Sequence, residues 1–161
     1  PFVAKKALKI SQLARLKTDS IKTNNILKGK GNGDQVDAFR HTYWMASLAQ
    51  TIGQRKAKRL GIAHEKGNKR DFKKGKKEEG SLPDKISSEM DLFNNAIGLE
   101  IGLTTTGNLV NAIVEEVKKG NCTIIKTDEQ GNFLDCDEKI IPTESLIGKW
   151  ENKKCLVNSD F

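Results

Sequence analysis

Apolar residues recur at intervals of three or four positions over most of the first 120 residues. That interval is the period of a helix with one buried face. Asp34 suits the N-cap of a helix, and Gly120 suits the position just after a helix end. Thr18, Asp19 and Ser20 are expected to end the first helix. The pattern predicts five helices, at residues 3–17, 35–50, 54–65, 86–103 and 108–119.

The pattern changes near residue 122. Segments 122–127 and 132–136 flank the turn sequence 128–131, which predicts a β-hairpin at about residues 122–136. Residues 142–150 are expected to hold one more short helix. The predicted fold class is therefore mainly α, a bundle of about five helices with a small C-terminal β-hairpin. No repeat and no long linker divides the chain, so residues 1–161 are expected to form a single domain.

The composition indicates a polyanionic partner. The net charge is +7 with a pI near 9.3, which is typical of proteins that bind nucleic acid, an anionic membrane surface or an acidic protein. A lysine-rich solubilising surface is the alternative explanation. The apolar fraction of 36% is low but sufficient for a core. No apolar run approaches the roughly 18 residues of a membrane span.

The two ends of the chain carry further signals. A chain that begins at Pro1 without a signal-peptide core is expected to be a fragment or a processed product of a larger polypeptide. The three cysteines have no C-x-x-C spacing, which argues against a zinc ribbon. Cys122 and Cys136 lie symmetrically about the predicted turn, so they can pair and leave Cys155 as a thiol.

Two segments outside the helices can contact phosphate. The glycine-rich residues 28–34 precede a helix and can cradle a phosphate, but they lack the Gly-Lys-Ser/Thr ending of a P-loop, so a flexible connector is favoured. The basic residues 66–77 are either a solvated loop or an arm that grips phosphates, with Phe72 available to stack on a base. The candidate substrate-binding cations there are Lys69, Arg70, Lys73 and Lys74.

Three predicted helices carry polar residues where packing alone would place aliphatic ones. On the second helix, Asp37, His41 and Trp44 share one stripe. Gly98 and Gly102 on the fourth would allow close approach of a backbone or a ligand. Convergence of the polar stripes predicts one site. Its candidate catalytic residues are His41, His64, Asp37, Arg40, Glu65 and Asp91, and its candidate substrate-binding residues also include Asn94 and Asn95.

Two chemistries fit these residues. In the first, a divalent metal, Zn or Mg, activates water; its candidate ligands are His41, His64, Glu65 and Asp91. The His-Glu-x-x-His motif of metalloproteases is absent, because position 68 is Asn. In the second, one histidine acts as base and the other as acid, oriented by Asp37 or Glu65. Arg40 or a lysine then stabilises a pentavalent phosphate, as cleavage of RNA through its 2′-hydroxyl requires.

Structural roles compete with these assignments. Arg40 can equally form a salt bridge to Asp37 or Glu65, and Trp44 is expected in the core rather than as a stacking platform. Serine or cysteine nucleophiles are poorly supported, because no cysteine has a histidine nearby in sequence. Lysozyme-like acid chemistry through Glu65 has no further motif in its favour.

The chain resembles a largely uncharacterised family of bacterial helical domains found in secreted proteins. The resemblance covers about residues 31–103 and rests on three motifs: Asp-Ala-Phe-Arg-His-x-x-Trp at 37–44, Ala-His-Glu at 63–65 and Met-Asp-x-x-Asn-Asn-x-x-Gly at 90–98. In general character the chain is also similar to the C-terminal toxin modules of polymorphic or contact-dependent inhibition systems. That similarity implies a secreted cell-killing enzyme, most often a nuclease, carried by a larger upstream delivery polypeptide and neutralised by an acidic cognate immunity protein.

The leading expectation is an antibacterial toxin domain that hydrolyses nucleic acid, RNA rather than DNA, in the cytoplasm of the target bacterium. The runner-up is a cell-envelope hydrolase acting on phospholipid or peptidoglycan in the periplasm. A third possibility is a non-enzymatic binding module whose polar cluster is structural.

Overall fold

The computed structural model describes residues 2–77 and 82–161. These residues form a mainly α fold with a small two-stranded antiparallel sheet, which confirms the predicted fold class. None of the helices described is both long enough and apolar enough to cross a membrane. The five helices are α1 (Phe2–Thr23), α2 (Gln35–Ile52), α3 (Gln54–Lys73), α4 (Lys85–Thr104) and α5 (Leu109–Lys118).

Two helices are longer than predicted. α1 continues through Thr18, because the Thr18 hydroxyl donates to the carbonyl of Ala14 at 2.8 Å and is satisfied inside the helix. α3 continues to Lys73, through a stretch expected to be loop. Its last turns are fixed by tertiary contacts that the sequence pattern does not reveal. The ring of Phe72, for example, packs against Trp150 with centroids 5.3 Å apart.

α2 is the central helix and packs against the other four. Its closest neighbour is α4, which approaches along the two predicted glycines. A Cβ on Gly98 would lie 2.4 Å from the carbonyl oxygen of Thr42, and one on Gly102 would lie 2.6 Å from that of Ala46. The two glycines therefore allow the close approach of a neighbouring backbone, which was one of the two alternatives predicted, the other being a ligand.

The glycine-rich loop holds the chain's own carboxylates. Asp34 caps α2 by accepting from the amide of Asp37, as predicted, and it also accepts from the loop amides of Lys30 and Gly31. The Gly33 amide donates to Asp37 Oδ2 at 2.7 Å. Because these amides are already bonded to protein carboxylates, the phosphate-cradle hypothesis for the loop is wrong.

The C-terminal hairpin forms differently from the prediction. β1 (Thr123–Ile125) pairs antiparallel with β2 (Leu156–Asn158), not with residues 132–136. The predicted turn is present at 128–131, but there a single bridge joins Thr127 to Phe133. Within 142–150 the expected helix is reduced to a short 3₁₀ helix, Thr143–Ser145.

The cysteine pairing also differs. The disulfide joins Cys136 to Cys155, and Cys122 is a buried thiol. The cause is the position of β1: its pairing with the end of the chain turns Cys122 into the helical core, where its sulfur lies 3.6 Å from the Thr42 hydroxyl. One disulfide and one thiol were predicted, but the predicted pairing of Cys122 with Cys136 was wrong.

Candidate functional site

His41 lies at the centre of the polar cluster, on α2. Its side chain is 7% exposed, and its Nε2 lies 3.4 Å from Asp91 Oδ1 and 3.5 Å from Asp37 Oδ1. The Arg40 guanidinium, which can only donate, lies 3.5 Å from the same Nε2, whereas the two carboxylates can only accept, so these neighbours favour opposite tautomers of the neutral ring. Nδ1 is buried and has no hydrogen-bond partner among the described residues. A buried ring nitrogen without a partner costs stability, a cost that a purely structural histidine would not need to incur.

The environment of His41 favours its neutral form. Burial, together with the positive charges of Arg40 and His64, lowers the pKa of His41 well below its usual value of 6.5. A histidine that is neutral at physiological pH can accept a proton, which is the requirement for a general base.

Arg40 forms the predicted salt bridge to Asp37. Its Nη2 lies 2.6 Å from Asp37 Oδ1 and 3.5 Å from His41 Nε2. The pair sits one turn apart on α2, and the Gly33 amide fixes the second oxygen of Asp37. Arg40 is therefore held in place, and its guanidinium also lines the pocket described below.

His64 is the second histidine of the site, on α3. Its Nε2 lies 3.9 Å from Glu65 Oε1, and its side chain is 36% exposed. Glu65 is buried and accepts from Asn68 at 3.0 Å. The rings of His41 and His64 have centroids 6.3 Å apart. Each histidine thus has a buried carboxylate beside it, and the sequence-predicted pair is brought together.

A pocket of about 240 Å³ lies between α1, α2 and α3. Ser11 of α1 accepts from the indole N–H of Trp44 at 3.0 Å, and Trp44 lies 5.6 Å from the ring of His64, between centroids. Trp44 is half-buried and packs against both hydrophobic core clusters, as expected, and it also lines the pocket. The lining residues are Ser11, Ala14, Arg15, Arg40, His41, Trp44 and His64.

Ser11 and Arg15 are site residues that sequence reasoning missed. They lie one turn apart beside Ala14, which is on the buried stripe of α1; Ser11 is half-buried and Arg15 is exposed. That spacing was a usable signal, since it places a hydroxyl and a guanidinium at the border of a packed face.

The positive charge of the chain is concentrated on the two helices that flank the pocket. α1 carries six lysine and arginine residues against one acidic residue. α3 carries eight against two. These two helices are therefore more basic than the whole chain, whose net charge is +7, and the remainder is net acidic. Positive charge on these two helices would favour an anionic ligand in the pocket over a cationic one.

The predicted substrate-binding asparagines have different environments. Asn94 is fully buried, and its amide both donates to the carbonyl of Thr123 and accepts from its N–H, at 2.9 Å each. Asn94 therefore anchors β1 to α4. Neither side-chain amide atom of Asn95 has a hydrogen-bond partner in the described residues, and that side chain is 4% exposed.

The predicted substrate-binding cations lie outside the pocket lining. Lys69, Arg70 and Lys73 are exposed on the last turns of α3, and Lys74 caps that helix through its backbone N–H. Lys69 lies 5.8 Å over the ring of Trp150. Phe72, proposed as a ring that could stack on a base, packs instead against the same Trp150.

The described residues contain one group with metal-ligand spacing: Asp37, His41 and Asp91, whose ligand atoms lie within 4.8 Å of one another. The predicted metal ligands His64 and Glu65 lie outside it, so that ligand set is not assembled as proposed. Two carboxylates and an imidazole suit a divalent cation. Arg40 already occupies Asp37 Oδ1, however, and a cation would have to displace that guanidinium.

Comparison with known proteins gives one match. No curated protein and no solved structure matches the chain. The family model described as "Domain of unknown function (DUF6973)" matches residues 1–122. These residues include all five helices and every pocket-lining residue, and exclude both strands. The chain therefore belongs to the DUF6973 family, a domain family of unknown function.

Proposed function

We propose that the chain is a toxin-type domain that hydrolyses nucleic acid, RNA rather than DNA. The observation that carries this proposal is the pocket itself. Two histidines with their rings 6.3 Å apart, each beside a carboxylate, share it with Arg15 and Arg40. The two most basic helices flank it, which favours a polyanionic substrate.

The proposed reaction needs no metal. His41, neutral in its buried site, takes the proton of a ribose 2′-hydroxyl, and the 2′-oxygen bonds to the adjacent phosphorus. The bond from phosphorus to the 5′-oxygen breaks, and His64, which lies beside Glu65 and acts as the general acid, donates a proton to that oxygen. The products are a 2′,3′-cyclic phosphate and a 5′-hydroxyl. Water then opens the cyclic phosphate with the two histidines in reversed roles.

The arginines and carboxylates support these steps. The guanidiniums of Arg15 and Arg40 line the space in which the phosphorane would carry its negative charge. Asp91, whose Oδ1 lies 3.4 Å from His41 Nε2, would stabilise the imidazolium that forms when His41 takes the proton. Asp37 orients Arg40.

A single-site chemical substitution in the substrate tests this mechanism. Two otherwise identical oligoribonucleotides are compared in EDTA, one of them with a 2′-deoxyribose at the cleaved position. We expect cleavage of the first to a cyclic phosphate and none at the substituted position of the second. Equal cleavage of both would contradict attack by the 2′-oxygen, and cleavage that requires added Zn²⁺ or Mg²⁺ would favour the metal chemistry.

A phospholipid hydrolase of the cell envelope is the second candidate, because α1 exposes apolar residues among its lysines. Leu8 and Leu16 are 61% and 67% exposed. Such a helix suits an anionic bilayer surface, and the same pocket can accept a lipid phosphodiester. Release of fatty acid or headgroup from anionic vesicles, with RNA left intact, would favour this candidate.

The biological setting proposed is delivery into a competing bacterium, with an acidic immunity protein as the neutralising partner. Inducible expression with and without an export signal separates the compartments. Killing without export is expected for the nuclease, and killing restricted to exported protein would favour the envelope hydrolase. A binding module would kill in neither arm.

A further inference from the structure

The depth of the site restricts the form of RNA that can reach it. His41 is 7% exposed in its side chain and is reached through the pocket. The pocket volume, about 240 Å³, is below the roughly 300–1,000 Å³ of sites for drug-sized ligands. It therefore has room for little more than one nucleotide unit.

A duplex cannot place its backbone at that depth. Paired bases are stacked inside the helix, and duplexes are stiff over many base pairs. An unpaired nucleotide can turn its sugar and phosphate into a recess while its base packs against a side chain. Trp44 offers such a surface, and Ser11 fixes its indole by the 3.0 Å hydrogen bond.

We propose that the pocket binds one unpaired nucleotide of single-stranded RNA, with its phosphate at Arg15 and Arg40 and its base against Trp44. The proposal rests on the nuclease function above and adds the substrate form and a role for Arg15. Arg15 lines the pocket from α1 and Arg40 lines it from α2, so a phosphate in the pocket can pair with guanidiniums of two helices. Base stacking on one aromatic residue selects little between bases, so weak sequence preference is expected.

The test uses three RNAs that share one sequence: a single strand, the same strand annealed to its complement, and a hairpin that places the sequence partly in the loop and partly in the stem. We expect cleavage of the single strand and of the loop, with the duplex and stem resistant. Cleavage of the duplex as fast as the single strand would overturn this inference and leave the nuclease function standing. No cleavage of any of the three would instead overturn the proposed function.

Variants test the two named contacts. Arg15→Ala should raise KM for the single strand about ten- to a hundredfold, the worth of a charge-assisted hydrogen bond, with a smaller effect on kcat. Lys17→Ala is the matched control, because Lys17 is an exposed cation on the same helix outside the pocket lining, and its KM should stay near that of the wild type. Trp44→Phe should retain more activity than Trp44→Ala. Equal KM effects at Arg15 and Lys17 would contradict a specific phosphate contact.

Discussion

His41 is the residue on which the proposed chemistry depends. A buried imidazole between two carboxylates and an arginine must either be satisfied or be kept for chemistry. Here Nε2 lies within 3.5 Å of Asp91, Asp37 and Arg40, while Nδ1 has no hydrogen-bond partner among the described residues. The residue types of this cluster were predictable from helical spacing, because Asp37 and His41 are one turn apart. The polar stripes of three helices were expected to converge on one site that includes Asp91. The distance from Asp91 to His41 could not be predicted, because it depends on how α4 packs.

The lowered pKa of His41 predicts how stability depends on pH. The unfolded chain binds a proton on this imidazole near pH 6.5, whereas the folded protein keeps it neutral. Below pH 6.5 the unfolded state thus binds more protons, and the free energy of unfolding falls as pH falls, by up to about 1.4 kcal/mol per pH unit. Urea unfolding from pH 7.5 to 5 should show a steeper loss for wild type than for His41→Gln. Parallel curves would contradict a neutral buried His41.

The close contact of α2 with α4 positions Asp91 near His41. Gly98→Ala would place a methyl group 2.4 Å from the Thr42 carbonyl oxygen, so it should destabilise the fold by about 1–3 kcal/mol through overpacking. Gly67→Ala is the matched control, since no atom lies within 4 Å of its added Cβ. It should stabilise the fold by up to about 1 kcal/mol through helix propensity. Urea midpoints give both values, and equal shifts would contradict the packing argument.

Which elements could be predicted depended on whether local signals set their ends. α2 has a side-chain N-cap at Asp34, and α4 has one at Asp84, so both were placed to within two residues. α1 extends past Thr18, whose hydroxyl bonds within the helix, and α3 extends past Gly67, a poor helix former, to the contact of Phe72 with Trp150. The partner of β1 lies more than thirty residues away along the chain, beyond the reach of any hairpin signal.

For the whole molecule, the sequence predicted a polar site but not its access. The spacing of Ser11 and Arg15 places them at the border of a packed face, but the wall they form depends on how α1 packs against α2, which no local pattern shows. The same limit applies to the charge distribution. Net charge was known from composition, whereas its concentration on the two helices beside the pocket required the fold.

The cysteine pairing in the C-terminal segment predicts how many thiols react in the native, denatured and reduced protein. In denaturant, air-oxidised protein should show one reactive thiol per chain, because Cys136 and Cys155 are bonded. After reduction it should show three. The native protein should react slowly, since burial raises the pKa of Cys122 to about 11. Reduction should lower the free energy of unfolding by about 3 kcal/mol, as expected for a loop of this size. Three thiols without reductant would contradict the Cys136–Cys155 pairing.

We propose that His41 and His64 form an acid–base pair for cleaving RNA. The most direct measurement of this claim is the cleavage rate of a single-stranded RNA in EDTA by wild type, His41→Gln and His64→Gln, with circular dichroism to verify folding. Wild type should cleave, and each folded variant should lose about 10²–10⁴-fold in kcat. A folded His41→Gln protein that cleaves as fast as wild type would contradict the claim, as would a wild-type protein that leaves RNA intact.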